Sequence, residues 1–176
     1  MTFHKRKMIR LPDYDYSLPG YYFVTICTQK RQCVLGNVGA GSPGPIMELN
    51  PIGKMVDKIW KEIPDHYPGV EIDEFVVMPN HLHGIIVIGG AEFPGPIMKG
   101  GETPPLQPTL GHIVAYFKYQ STKQINMIRH TPGIAFWQRN YYERVIRHDK
   151  ELEEIRHYIH YNPCTWEDDE EYTNPP

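Results

Sequence analysis

His81-Leu82-His83 sets two imidazoles two residues apart. On a β-strand that spacing turns both side chains to one face, where both can reach a single ion. Neutral imidazole is the commonest metal ligand, but two rings need a further donor to fix an ion. A His-x-His pair also arises by chance in a chain with nine histidines. Its setting gives it weight. Phe75, Val76, Val77 and Met78 precede it and Gly84, Ile85, Ile86, Val87 and Ile88 follow, so two polar rings interrupt what otherwise reads as core. A second constellation is Tyr158-Ile-His-Tyr-Asn-Pro163. Tyr158 and Asn162 are four apart and share a helix face. A phenol is a poor nucleophile at neutral pH because its pKa lies near ~10, so attack on a phosphodiester needs a base or a cation that polarises the phosphate. An ion held by His81, His83 and the amide oxygen of Asn162 could supply that polarisation. The competing reading is an amphipathic terminal helix with Tyr158 packed beside the core.

These groups need elements to carry them. Residues 21–28 are aromatic and β-branched and follow Pro19-Gly20, which predicts a strand. Residues 36–48 read as a loop by composition. Asn50 as cap and Pro51 at the first position predict a helix start, with Ile52, Met55, Val56, Ile59 and Ile63 at helical spacing and Pro64 as its stop. Residues 70–77 and 81–88 read as an antiparallel hairpin turned by Met78-Pro79-Asn80. Residues 89–108 hold five glycines and five prolines and read as a surface loop. The pentapeptide Pro-Gly-Pro-Ile-Met occurs at 43–47 and again at 94–98, both times inside an expected loop, which is no solenoid signature. A second helix follows the Thr109 cap, residues 135–146 contain a short strand or extended segment, and a last helix follows His148-Asp149 and buries Leu152, Ile155 and Ile159. The order is the ferredoxin-like βαββαβ plan: an α+β fold with an antiparallel sheet, helices on one face and an added C-terminal helix carrying the tyrosine.

Composition limits the alternatives. The 176 residues suit one domain, expected over 1–166, with loop insertions at about 36–48 and 89–108 and an acidic tail at 167–176. A hydrophobic fraction of 40% argues against disorder, and no run approaches the ~18 apolar residues of a membrane span. The basic N-terminus lacks the apolar core of a signal peptide. Cys27, Cys33 and Cys164 are odd in number and lack metal-ligand spacing, so a reducing cytoplasm is the expected setting. The net charge of −3 hides an asymmetry. Glu167, Asp168, Asp169, Glu170 and Glu171 are consecutive acids, whereas Lys118, Lys123, Arg129, Arg139, Arg144 and Arg147 face a single acid, Glu143, between residues 112 and 147. Lys5, Arg6, Lys7 and Arg10 add to the basic side. Such a local surplus can bind phosphates in a slightly acidic protein, or be a solvated helix face.

Four stretches together resemble one family. They are Tyr21-Tyr-Phe-Val-Thr25, Val77-Met-Pro-Asn-His-Leu-His-Gly84, Trp137-Gln-Arg-Asn-Tyr-Tyr-Glu-Arg-Val-Ile-Arg147 and Tyr158-Ile-His-Tyr-Asn-Pro163, spanning about 20–163. The chain resembles the single-tyrosine transposases of small insertion sequences in the HUH single-strand endonuclease superfamily, most of all the REP-associated tyrosine transposases. The resemblance implies a divalent metal, magnesium or manganese, on His81, His83 and Asn162. It implies that Tyr158 attacks DNA, becomes joined to a 5′ phosphate and releases a 3′ hydroxyl. A second 3′ hydroxyl can then reverse the step without ATP. It also implies single-stranded DNA beside an imperfect hairpin as partner, and dimers are frequent in the family. A cytoplasmic, nucleoid-associated protein without a small-molecule substrate is the corresponding expectation.

The residue chemistry agrees, because phosphoryl transfer mainly needs in-line positioning and charge neutralisation. Tyr116, Tyr119, Tyr141, Tyr142 and Tyr161 are further phenols, but Tyr158 alone combines a polar partner at i+4 with the family context. For DNA contact the candidates are Lys118, Lys123, Trp137, Arg139, Arg144 and Arg147, aromatics stacking bases and cations meeting phosphates. The insert at 89–108 and the acidic tail fall outside the family pattern; the tail could compete with DNA for a basic groove or simply solubilise. Three other functions compete with this reading. One is a domesticated DNA-binding protein of the same fold without transposition activity. Another is a metal hydrolase, which would need a water-activating acid such as Glu74. The third is an RNA-binding module, which has no use for the histidine pair.

Overall fold

Alternation along one central strand sets the architecture. In the computed structural model, which describes residues 11, 13–41, 44–89 and 108–173, strand β1 (Gly20–Cys27) sends Tyr22, Val24 and Ile26 into one core and Phe23 into another on the opposite face. A small ribbon of β2 (Gly36–Gly39) and β3 (Ile46–Leu49) follows, where sequence composition predicts a loop. Gly41, Gly44 and Pro45 lie in the connection between them, while Val38, Ile46 and Leu49 supply the pairing stretches. Helix α1 (Pro51–Lys61) starts where the cap predicts: the Asn50 side-chain oxygen accepts from the amides of Ile52 and Gly53 at 2.9 and 3.0 Å. Pro64 sits in the first turn of a short second helix, α2 (Ile63–His66), a place where its missing N–H costs nothing.

Strands β4 (Val70–Val77) and β5 (His81–Ile88) form the expected hairpin, β5 pairs with β1 along its whole length, and β6 (Tyr142–Ile146) lines the other side of β1. The order β4-β5-β1-β6 is antiparallel throughout, and it is the order that the βαββαβ plan requires. Before β6, residues 136–138 run extended beside the end of β1: Gln29 N–H donates to Phe136 O and Gln138 N–H to Cys27 O.

Helices α1 and α3 (Leu110–Arg129) cover the face carrying Tyr22, Val24 and Ile26, and Trp60 and Phe117 are wholly buried there. Burying a side chain of that size stabilises by roughly 1.5–3 kcal/mol. Gly84 makes room for the indole: a Cβ there would lie 2.6 Å from Trp60. Helix α4 (Asp149–Tyr161) lies on the opposite face, burying Leu152 and Ile159 against Phe23, Ile85 and Ile146. A register shift in β4 between Ile72 and Phe75 serves this helix. An extra residue lets successive side chains face one way, so Asp73 and Glu74 both reach α4. Arg156 donates to Asp73 at 2.7 and 3.0 Å, and His160 lies 3.8 Å from Glu74.

Residues 90–107, most of the expected glycine- and proline-rich insert, lie outside the described residues, as do Lys5, Arg6, Lys7 and Arg10. Among the described residues no helix is long and apolar enough to cross a membrane.

Candidate active site

β5 turns its even-numbered residues Leu82 and Ile86 into the α1/α3 core. His81 and His83 therefore face α4, with ring centroids 4.3 Å apart and both side chains buried. Each ring is held from behind. His83 Nδ1 lies 2.8 Å from Thr25 Oγ1, its register partner on β1. His81 Nδ1 lies 2.8 Å from Asn80 Oδ1. Such outer contacts orient imidazoles toward an ion. The His81 Nε2 atom is buried and has no hydrogen-bond partner among the described residues. Burial, followed by the neighbouring His83, holds His81 well below the usual histidine pKa, which keeps its ring neutral.

Helix α4 delivers the tyrosine. Tyr158 is 40% exposed, and its hydroxyl lies 3.0 Å from His83 Nε2. Tyr161 points elsewhere on the helix, with His157 and His160 as its ring neighbours. Asn162 ends α4 and opens a 3-10 turn, Asn162–Asp168. It is fully buried, and its Oδ1 has no partner among the described residues. Its amide N–H instead donates to Asp169 Oδ2 at 2.6 Å.

Asp169 is the residue that sequence reasoning missed. The acidic segment, read as a tail, folds over the histidines, so that ligand atoms of His81, His83 and Asp169 lie within 4.8 Å of one another. Tyr158 donates to Asp169 Oδ2 at 2.8 Å, and His83 Nε2 lies 3.5 Å from the same oxygen. Burial alone would raise this carboxyl, but hydrogen bonds from His83 and Asn162 outweigh it and hold it below the usual carboxylate range. Conversely, burial and then the Asp169 carboxylate push the Tyr158 phenol above its ordinary value. Two imidazoles, a carboxylate and a free amide oxygen form a donor set that could hold a divalent ion, so these residues fit the metal that the resemblance implies. Nothing in five consecutive acids distinguishes the third. Asn80 and Thr25, by contrast, stand inside the stretches that carry the resemblance.

The site opens into a groove of about 460 Å³ floored by Phe23, Thr25 and Tyr142. Arg144, at its side, is the one cation among the described lining residues, set against Glu154, Asp168, Asp169, Glu170 and Glu171. It also pairs with Glu151 at 2.5 Å. Arg139 and Arg147 are exposed. Lys123 is exposed on α3, across the sheet from Tyr158. Two expected DNA contacts are structural instead. Trp137 is 5% exposed, packs on Phe117 and Phe136 and donates its indole N–H to Ser121 Oγ at 2.8 Å, so it has no face for a base. Lys118 donates to the carbonyls of Gln138 and Asn140 at 3.0 and 3.1 Å, pinning the segment before β6.

No family profile matches the chain. An uncharacterised protein of Haemophilus influenzae is 39% identical over 183 residues, covering 97% of this chain and 95% of its own length. Another Haemophilus influenzae protein, named as a candidate REP-associated tyrosine transposase, is 26% identical over 158 residues, covering 85% of this chain and 73% of its own. The solved structure of a REP-associated tyrosine transposase bound to a REP hairpin aligns at a TM-score of 0.54 and 18% identity, covering 89% of this chain and 73% of that one. A crystal structure of a candidate transposase from Deinococcus radiodurans aligns at 0.47 and 18% identity, covering 86% and 95%.

Proposed function

Because the chain belongs to one family with its 39%-identical Haemophilus influenzae relative and resembles the REP-associated tyrosine transposases in sequence and fold, we propose that it is a transposase-type nuclease. It cleaves and rejoins single-stranded DNA through a 5′-phosphotyrosine on Tyr158. The observation that carries this reading is the Tyr158 hydroxyl, 3.0 Å from His83 Nε2 and 2.8 Å from Asp169 Oδ2. A nucleophile lies within the ligand cluster itself.

His81, His83 and Asp169 would hold magnesium or manganese, with the Asn162 amide oxygen as a further donor. When bound, the ion neutralises phosphate charge and polarises the phosphorus for attack. Tyr158 Oη forms the bond to phosphorus as the P–O3′ bond breaks. The phenol loses one proton and the leaving 3′ oxygen gains one. A later 3′ hydroxyl attacks the same phosphorus and restores the phenol. Burial and the Asp169 carboxylate favour the protonated phenol, so attack needs a base or a cation close by. The acids lining the groove argue the same way, since a phosphodiester enters that field only when it is neutralised. A DNA hairpin, the ligand in the REP-associated neighbour, is the partner proposed here, with Arg139, Arg144 and Arg147 as phosphate contacts.

Labelled single-stranded DNA carrying a hairpin, incubated with Mg²⁺ or Mn²⁺, tests this. The expected product is a covalent adduct that digestion and mass spectrometry place on Tyr158. Tyr158→Phe removes the nucleophilic oxygen and should abolish the adduct while keeping fold and DNA affinity. Undiminished cleavage in that variant, or an adduct on Tyr161, would overturn the mechanism.

A further inference from the structure

Asn80 precedes the histidine pair and is wholly buried. Its amide N–H₂ donates to the backbone carbonyls of Arg31 at 3.2 Å and Glu171 at 2.8 Å, and to Thr173 Oγ1 at 3.1 Å. A carbonyl oxygen can only accept. Two of them therefore fix the amide in one orientation, with Oδ1 facing His81. That oxygen too can only accept, so His81 Nδ1 must carry the proton in their 2.8 Å contact. The lone pair then lies on Nε2, the buried atom that has no hydrogen-bond partner among the described residues.

We infer that Asn80 is a positioning residue that makes one unit of β5 and the C-terminal segment. It sets the ligand tautomer of His81 and ties down the stretch that brings Asp169 to the ion. The inference rests on the metal-dependent reading above. Its surroundings are stitched accordingly: Arg31 pairs with Glu171, Thr173 Oγ1 donates to Arg31 O at 3.0 Å, and Asp169 Oδ1 accepts from Glu171 N at 2.7 Å. The backbone around Asn80 is fixed independently. Thr28 N donates to Asn80 O, and the amides of Val34 and Leu35 donate to Pro79 O. A change of side chain therefore acts on the amide's own partners.

Mn²⁺ titration followed by electron paramagnetic resonance, with amide hydrogen exchange over 166–173, tests the inference on the full chain. Asn80→Ala removes both functions and should weaken Mn²⁺ binding by roughly 10–100-fold, the usual loss for an orienting partner, and speed exchange at 169–173. Asn80→Asp keeps an acceptor for His81 and loses the donors. It should hold Mn²⁺ affinity well above that of Asn80→Ala while exchange at 169–173 still rises. Wild-type affinity in a folded Asn80→Ala protein would overturn the inference. If Asn80→Ala does not fold, unchanged exchange in Asn80→Asp would overturn it instead. A wild-type chain that binds no Mn²⁺ would sink the metal-dependent reading itself, a different result from wild-type and variant binding alike.

Discussion

A lysine ammonium beneath backbone carbonyls is a clamp, and Lys118 carries its own pH signature. Burial pulls it down to about 8 from an ordinary value of 10.5. Unfolding returns it to that ordinary value, so between these two limits the unfolded chain binds more protons than the folded one. Stability attributable to Lys118 therefore rises with pH across that window. Below it, the side chain is charged in both states and the cost of burying the charge is fully present. Urea denaturation of wild type and Lys118→Met should show wild type gaining on the variant from about pH 8 to 10.5, with a flat difference at lower pH. A flat difference throughout would mean that the ammonium is not desolvated. Tyr158 is likewise held at the residue scale, by hydrogen bonds to His83 and Asp169, two of the residues that could hold an ion.

At the scale of elements, the two faces of β5 do different work. Gly84 stands on the core face between the strand residues that send imidazoles and Ile85 toward α4. A methyl at this position would lie 2.6 Å from Trp60 Cζ2 and 3.1 Å from Phe75 Cβ. The indole is wholly buried and cannot swing away. Gly84→Ala should cost about 1–3 kcal/mol, as overpacking does, measured as a lowered denaturation midpoint with an unchanged slope. A neutral result would show that the α1 layer gives way easily. On the other face, the β4 irregularity turns Asp73 and Glu74 toward α4 and anchors the helix two residues before the tyrosine.

For the whole molecule, charge is divided by location. The exposed arginines Arg139 and Arg147 flank β6, while Asp169 closes over the histidine pair and its neighbouring acids line the groove. Single-strand affinity should fall linearly with the logarithm of salt concentration, and Arg147→Ala should reduce that slope by about 0.7, the value of one lost phosphate contact. Lys118→Met should leave the slope unchanged, because its ammonium is committed to carbonyls. Fluorescence anisotropy on a hairpin-bearing single strand measures both. A slope that Lys118→Met reduces and Arg147→Ala does not would reverse this assignment.

What the sequence determined by itself was local. Period-two alternation placed His81 and His83 on one face, the Asn50 and Thr109 caps set two helix starts, and helical spacing put Tyr158 and Asn162 on one side of α4. These follow from backbone geometry within a few residues, which needs no knowledge of the rest of the chain. Tertiary structure decided the remainder. Thr25 meets His83 across 58 residues, Tyr158 meets it across 75, and Asn80 meets Glu171 across 91. Strand register chose the first partner, and the docking of α4 on the sheet chose the second. The path of the segment after Asn162 chose the third and brought Asp169 to the cluster. Lys118 and Trp137 have the composition of DNA contacts, yet both point inward, because the extended segment before β6 needs a donor for its carbonyls and the α3 core needs an indole. Residue type is the same in either role; only burial separates them.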